Sequence, residues 1–410
     1  MNDILKTILI VVTASCTGLL LLCMVYLIPN RAVSQTRDEL FDIMEEETPG
    51  FKDTRFFTYA YGSKNMPDSF IYRLAAEDQS KPLLYRVVGG PDEGDNRYWD
   101  GFMVLVIPLM TFLSWGQIRF LFTLVTVILI WYILVFSRDR LPWYYSFSFA
   151  VGLLFINMHV NFYSIMLDMI FLVSFGFMIY ILKTYTVETD PKKLFYVFLI
   201  DGILTTYLDR YTASLLSLEL PLFIIVMINI YEDGAASIRR NWKNILFAVS
   251  GWGIGFSFFW LNKWIIASGV LGKNVLSSAA HQARGRAMTN ASEMLGEEVE
   301  NVGGRWFTIA KNISSLLPTH GEHIISLLLI VAGCLLVMAI LFAKRKGRLS
   351  EPVKYLPLLA LMLMPYVYYF ILSDLNQVHA TFFMYRMQLP VIMGVFMLYF
   401  DGLTKAGNEQ

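Results

Sequence analysis

The chain has 410 residues, with 33 Lys plus Arg balancing 33 Asp plus Glu, so it lacks the basic surplus that gathers nucleic acid. A hydrophobic fraction of 56%, an aromatic fraction of 15% and a mean hydropathy of +0.52 exclude an ordinary soluble domain and indicate an integral membrane protein. The three cysteines, Cys16, Cys23 and Cys334, all fall in apolar runs, which suggests neither a disulfide framework nor a thiol metal site.

The first apolar run, residues 8–28, has the roughly 20 residues that a bilayer crossing needs. Its leading segment is weakly basic and no small-x-small cleavage site follows, so it reads as a retained anchor helix rather than a signal peptide. Residues 29–100 form the first of two long polar segments. Within it, Leu40, Ile43 and Met44 share a helical stripe with Phe41 at its edge, which predicts a short amphipathic helix on the membrane surface.

Asp68 follows Pro67 and precedes Ser69-Phe70-Ile71. It reads equally as a helix N-cap and as a rigidly mounted catalytic carboxylate. Tyr98, Trp99 and Asp100 close the segment beside Arg97. Aromatics next to an acid and an arginine suit a sugar-binding rim and equally an interfacial anchor. Residues 102–114 are apolar, too short to cross comfortably, and interrupted by Pro108. They predict a re-entrant or surface-lying segment.

Further spans are expected at about 118–136, 144–158, 162–182, 194–209, 212–231, 244–266, 324–343, 355–373 and 387–400, about ten with the first. Asp168 and Asp201 fall in the middles of their spans, and Glu219 nearer one end. Ionisable groups there are costly and usually functional, although for Asp168 a helix-packing network is the plainer reading. Asp209-Arg210-Tyr211 sits at a turn between spans. The cluster Gly251-Trp252-Gly253-Ile254-Gly255 suits close helix packing.

The second long polar segment, 267–322, carries His281, Arg284, Arg286 and His320. His320-Gly-Glu-His323 is not a recognised zinc pattern, and dependence on a divalent metal stays open. The last short polar loop carries Asn376, His379, Tyr385 and Arg386. Guanidinium groups at such a boundary can grip phosphate by paired hydrogen bonds, or simply snorkel to headgroups.

If 102–114 does not cross, every short basic loop lies on the side of both termini: 138–140, 183–193, 239–243 and 344–354. The positive-inside rule makes that side cytoplasmic and both long segments extracytoplasmic. The fold expected is one all-α polytopic membrane domain over 1–410.

These pieces together resemble the GT-C superfamily of membrane glycosyltransferases, and more closely the bacterial polytopic proteins of surface-polysaccharide systems. The residues carrying the resemblance are Pro67-Asp68-Ser69-Phe70-Ile71, Tyr98-Trp99-Asp100-Gly101, Asp201-Gly202-Ile203-Leu204-Thr205-Thr206 and Asn376, His379 and Tyr385-Arg386. Where related chains tend to have histidine in the Tyr-Trp-x-Gly motif, this one has Asp100. The resemblance implies a multi-pass protein of the bacterial cell membrane that uses a sugar carried on a polyprenyl phosphate. The acceptor would be a cell-envelope glycan or a lipid-linked acceptor, met on the extracytoplasmic face. Inverting transfer needs a carboxylate to take the acceptor proton, a role that falls to Asp68. It also needs cations for the departing phosphate, a role that falls to Arg386 with Arg284 or Arg286. Tyr98, Trp99, Asp100, Asp201, Asp209, Arg210, His379 and Tyr385 complete the expected substrate site. The alternative function is a flippase or exporter of a lipid-linked glycan, with Asp168, Asp201 and Glu219 as a polar pathway.

Overall fold

The computed structural model describes residues 3–50, 68–89, 95–287, 304–316, 353–380 and 382–407. All regular structure among them is helical. The helices are α1 (Asp3–Tyr26), α2 (Asn30–Gly50), α3 (Ser69–Ala75), α4 (Leu83–Gly89), α5 (Met103–Met110), α6 (Trp115–Ser137), α7 (Trp143–Phe155), α8 (Ile165–Thr184) and α9 (Pro191–Leu208). They continue with α10 (Leu215–Asp233), α11 (Ser237–Leu271), α12 (Val275–Ala287), α13 (Arg305–Ser314), α14 (Leu356–Ile371), α15 (Ser373–Val378) and α16 (Leu389–Gly407).

Among the described residues, four stretches are long and apolar enough to cross a membrane: Asp3–Tyr26, Trp115–Ser137, Ile165–Thr184 and Leu215–Leu271. The last folds as α10 and α11, joined by a 3-10 turn at Gly234–Ala236. Helix α10 is buried without interruption from Leu215 to Ile230, as expected of a helix apolar all round. In contrast, α1 and α6 expose Ile4, Leu5, Ile8, Leu20, Met24, Phe120, Val127 and Trp131. So much apolar side chain in contact with water would be an aggregation hazard; in contact with lipid it is the ordinary outer face of a membrane bundle.

The apolar runs expected at 118–136, 162–182, 194–209, 212–231 and 244–266 correspond to α6, α8, α9, α10 and α11. The one expected at 324–343 lies outside the described residues. The run expected at 144–158 is shorter: α7 has 13 residues, because Asn157 turns left-handed (φ 53°) and the chain continues as a 3-10 helix, Met158–Tyr163. Within the stretch 102–114, α5 has eight residues, about 12 Å of helix against a hydrocarbon core of about 30 Å.

Helices α9 and α11 pack backbone to backbone. A Cβ at Gly251 would stand 2.2 Å from Phe195 O, one at Gly255 2.2 Å from Leu199 O, and one at Gly202 2.3 Å from Trp252 O. The glycine cluster is therefore a packing seam; Gly253, which points away, meets nothing within 4 Å.

The polar segment after α1 folds over one end of the bundle, and its acids cap the helices that begin there. Glu39 accepts from Trp115 N (3.0 Å) and Gly116 N (3.3 Å) at the start of α6. Leu40 on the predicted stripe is fully buried, and Thr36 Oγ1 donates to Met110 O (3.1 Å) and Leu113 O (2.9 Å). A carboxylate at a helix N-terminus meets free N–H groups and the positive end of the dipole. The opposite end gathers the described basic loops 138–140, 183–193 and 239–243; the one at 344–354 lies almost wholly outside the described residues. Lys192 pairs with Asp3 (3.2 Å), Arg140 with Glu232 (2.8 Å), and Arg240 with Asp233.

Candidate functional site

The turn Tyr98–Gly101 lies at the end covered by the first polar segment, and tertiary contacts set its shape. Gly101 N donates to Tyr207 O at 2.8 Å, and a Cβ on Gly101 would stand 2.4 Å from the Tyr207 ring. Tyr207 is itself fixed by a hydroxyl bond to Gly18 O of α1 (2.8 Å). Trp99 is buried, donates Nε1 to Phe259 O (3.0 Å) and stacks on that ring at 4.6 Å. Asp100 is thereby forced to a left-handed φ of 56°, a conformation that non-glycine residues rarely adopt and that clusters at functional sites.

From that strained position Asp100 grips Arg210. Arg210 Nε donates to Oδ1 at 2.5 Å and Nη2 to Oδ2 at 3.3 Å, both residues buried. The guanidinium is sandwiched, with Cζ 4.1 Å from the Phe70 ring centre and 4.7 Å from that of Tyr98, so cation–π attraction adds to the charge pair.

Beside this pair runs an aromatic stripe on α11: Trp252, Phe256, Trp260 and Trp264, four residues apart. Tyr211, at φ 69°, lies 4.4 Å from Trp260. Trp260 and Trp264 both donate their indole N–H to Arg97 O (2.8 and 3.2 Å). Arg97, Tyr98, Tyr211, Trp260 and Trp264, with α12 and the α14–α15 junction, enclose a cavity of about 70 Å³. The cavity is smaller than a hexose, so this aromatic wall, backed by a paired arginine and acid, would have to open before it could stack a sugar ring.

Asp68 and Arg386 stand elsewhere, and neither lines this cavity. Asp68 is fully buried. It accepts from Ser164 Oγ (2.8 Å), Met166 N (3.1 Å) and Ile165 N (3.2 Å), so it caps α8 rather than its own helix α3. Burial raises its carboxyl above the usual range; Arg119 and these donors pull the other way. Arg386 is also buried. Its Nε donates to Ile156 O (3.3 Å), while Nη2 has no hydrogen-bond partner. Tyr385 donates to the same carbonyl at 3.0 Å and receives Asn157 Nδ2 at 3.3 Å. The two residues thus brace opposite ends of one connection, Ile156–Met166.

The remaining expected site residues separate. Asp209 is a turn cap, receiving Thr212 N, Thr212 Oγ1 and Ser214 Oγ. Asp201 receives Thr205 Oγ1 (3.3 Å) in a network that continues through Ser217 to Trp252 and ties α9, α10 and α11. Asp168 receives Thr126 Oγ1 (2.6 Å) and ties α8 to α6. His379 is half-buried and stacks on Phe383 at 4.7 Å. Arg284 is exposed on α12, whose Ala279 and Ala283 face the cavity; Arg286 lies on the same helix. His320 and His323 lie outside the described residues. Among the described residues no three acids, histidines or cysteines converge as a metal-ligand set.

A second group of charges escaped the sequence reading. Glu77, Arg86 and Lys263 are all buried near the end of α1. Arg86 Nη2 donates to Tyr26 O (3.0 Å) and Lys263 Nζ to Val87 O (3.2 Å). Burial pushes the Glu77 carboxyl up to about 7, against the pull of Lys81, Arg86 and Lys263. Lys263 carried a usable signal, a lysine inside an expected span; Glu77 and Arg86 carried none.

No family model, curated protein or solved structure matches this chain.

Proposed function

We propose that the protein is a GT-C-type membrane glycosyltransferase. It moves a sugar from a polyprenyl-phosphate-linked donor to a cell-envelope glycan or lipid-linked acceptor on the extracytoplasmic face. The observation that carries this reading is the Asp100–Arg210 pair, held by a left-handed backbone beside an aromatic-walled cavity. In this reading the chain has about ten spans, and both termini lie in the cytoplasm of a bacterial cell. The basic loops 138–140, 183–193 and 239–243, gathered at the end away from the cavity, support that orientation.

With the cavity opened, the donor's sugar stacks on Tyr98, Tyr211 and Trp260, and its phosphate is met by the charge of Arg210, which stands buried against Asp100 behind Tyr98. Arg386 serves a phosphate through its unpartnered Nη2, together with Arg284 or Arg286 of α12. The acceptor's hydroxyl proton passes to a carboxylate of the first polar segment. In this reading Asp68 takes that proton, by its raised basicity and rigid mounting, once the protein opens its buried carboxylate to the acceptor. The developing charge on the leaving phosphate is met by cations in a site of low dielectric.

A second reading, a flippase for a lipid-linked glycan, is favoured by one observation: both carboxylate oxygens of Glu219, buried in the second turn of α10, lack a hydrogen-bond partner. Purified protein in detergent, given a polyprenyl-phosphate sugar and a lipid-linked acceptor, separates the two. A transferase consumes the donor; a flippase leaves it intact and moves it between leaflets of a proteoliposome.

A further inference from the structure

Three buried side chains near the end of α1 leave polar atoms unused. Both oxygens of Glu77 and Nε of Arg86 have no hydrogen-bond partner, and the Lys263 ammonium donates one described bond, to Val87 O. Glu77 is 6% and Arg86 7% exposed, and Lys263 2%, so water does not satisfy them freely. No ion pair joins Glu77 to Arg86, Lys263 or Lys81 among the described residues, although all three cations act on its carboxyl. The segment is held rigidly in place: Asn30 Nδ2 donates to Glu77 O (2.8 Å) and Gln79 Nε2 to Ile28 O (2.9 Å).

The local charge is unbalanced. The groups that face this site are Glu77, Lys81 and Arg86 from the α3–α4 region, Tyr26 from α1, Lys263 from α11, Asp100 from the turn before α5, and Arg210 from the α9–α10 turn. Asp100 is already neutralised by Arg210. That leaves Glu77 against two buried cations, Arg86 and Lys263. The excess is one positive charge when Glu77 is ionised and two when it is protonated. Buried charge of one sign is costly and calls for a counter-ion.

We infer that Glu77, Arg86 and Lys263 form a binding site for a phosphate monoester group, separate from the aromatic cavity. A tetrahedral anion offers three oxygens to three donors on separate mounts: the Arg86 guanidinium, the Lys263 ammonium and the O–H of protonated Glu77. A planar carboxylate has only two. The phosphate belongs to a lipid or to a free phosphate; the chemistry of recognition is the same. A lipid would have room for its chain. Phe259 and Asn262, which flank Lys263 on α11, line two apolar grooves beside α1 of about 500 and 580 Å³. This site does not depend on the glycosyl-transfer reading, and its test reads binding rather than turnover.

The test uses the full chain in detergent with three probes: polyprenyl phosphate, inorganic phosphate, and sulfate, whose charge does not change across neutral pH. Arg86→Gln and Lys263→Gln should each weaken binding about tenfold or more, the loss of a charged hydrogen bond. Sulfate binding should weaken as pH rises from about 6 to about 8 as Glu77 ionises. In Glu77→Gln, which keeps the shape of the neutral acid, the decline should be markedly shallower. Binding of the lipid alone assigns the site to a lipid headgroup; binding of lipid and free phosphate alike assigns it to the phosphate itself. No probe binding, or Gln variants at Arg86 and Lys263 that bind as the parent does, overturns the proposal. If a Lys263 variant fails to fold, the sulfate profile of parent against Glu77→Gln still decides, and an identical pH slope in both overturns it.

Discussion

Asp100 and Arg210, 110 positions apart in sequence, form a two-point ion pair in which the acid sits at a φ of 56°. The turn that strains Asp100 is fixed by Trp99 on Phe259 and Gly101 on Tyr207, so the rigidity of α9 and α11 passes directly to Arg210. Asp100→Asn tolerates the left-handed backbone but removes the charge. It should lower stability in detergent by about 3–5 kcal/mol, because Arg210 is left buried with its charge unmatched. Thermal unfolding of parent and variant measures this, and an unchanged melting temperature would mean that the pair is solvated.

Gly101→Ala tests the close approach. The new methyl would meet the Tyr207 ring at 2.4 Å, and Tyr207 has little freedom to retreat because its hydroxyl is tied to Gly18 O. A loss of about 1–3 kcal/mol is expected from overpacking. Gly101→Ala combined with Tyr207→Leu should recover part of it. Strictly additive losses would place the strain elsewhere.

Asp68→Asn separates a base from a clamp. The amide keeps one acceptor oxygen for three donors, Ser164 Oγ, Ile165 N and Met166 N. Stability should fall by about 1–3 kcal/mol, with earlier proteolysis at the α7–α8 connection. If Asp68 also takes the acceptor proton, turnover falls far more than the folded fraction. Activity that tracks the folded fraction leaves Asp68 as a clamp alone.

Glu77 gives stability a pH slope. Its carboxyl stands at about 7 in the folded chain against an ordinary 4.5, so the folded state binds this proton more tightly than the unfolded state. Its contribution is therefore full below 4.5, declines as pH rises toward about 7, and is level above that. Glu77→Gln should flatten this part of the profile measured by thermal unfolding. A profile with the same slope in both proteins would assign the slope to another group.

Much of the fold was legible because bilayer thickness fixes the length of an apolar helix, and glycine spacing marks a packing seam. Gly251 and Gly255, four apart, could face a neighbour, and they do. The early end of α7 was not legible, since Asn157 in a left-handed conformation interrupts an otherwise apolar run. For the site, the motif Tyr98-Trp99-Asp100-Gly101 and the turn residue Arg210 stood out singly. Their pairing did not, because it is made by contacts between α9, α11 and a distant loop. Asp68 was seen as a cap or a base. Which helix it caps depends on the fold, because α8 begins 97 residues after it. Glu77, between two small or acidic neighbours, carries no periodicity, and only burial distinguishes it.

The most direct measurement of the central claim is consumption of a polyprenyl-phosphate sugar by purified protein, with Arg210→Lys beside the parent. Lysine keeps the charge but cannot reproduce the two-point pair with Asp100 that fixes it in place. The account predicts that the parent consumes donor in the presence of a lipid-linked acceptor. It predicts that Arg210→Lys loses about tenfold or more of that turnover while remaining folded. Intact donor after incubation with folded parent protein, or equal turnover by the Lys variant, would contradict it.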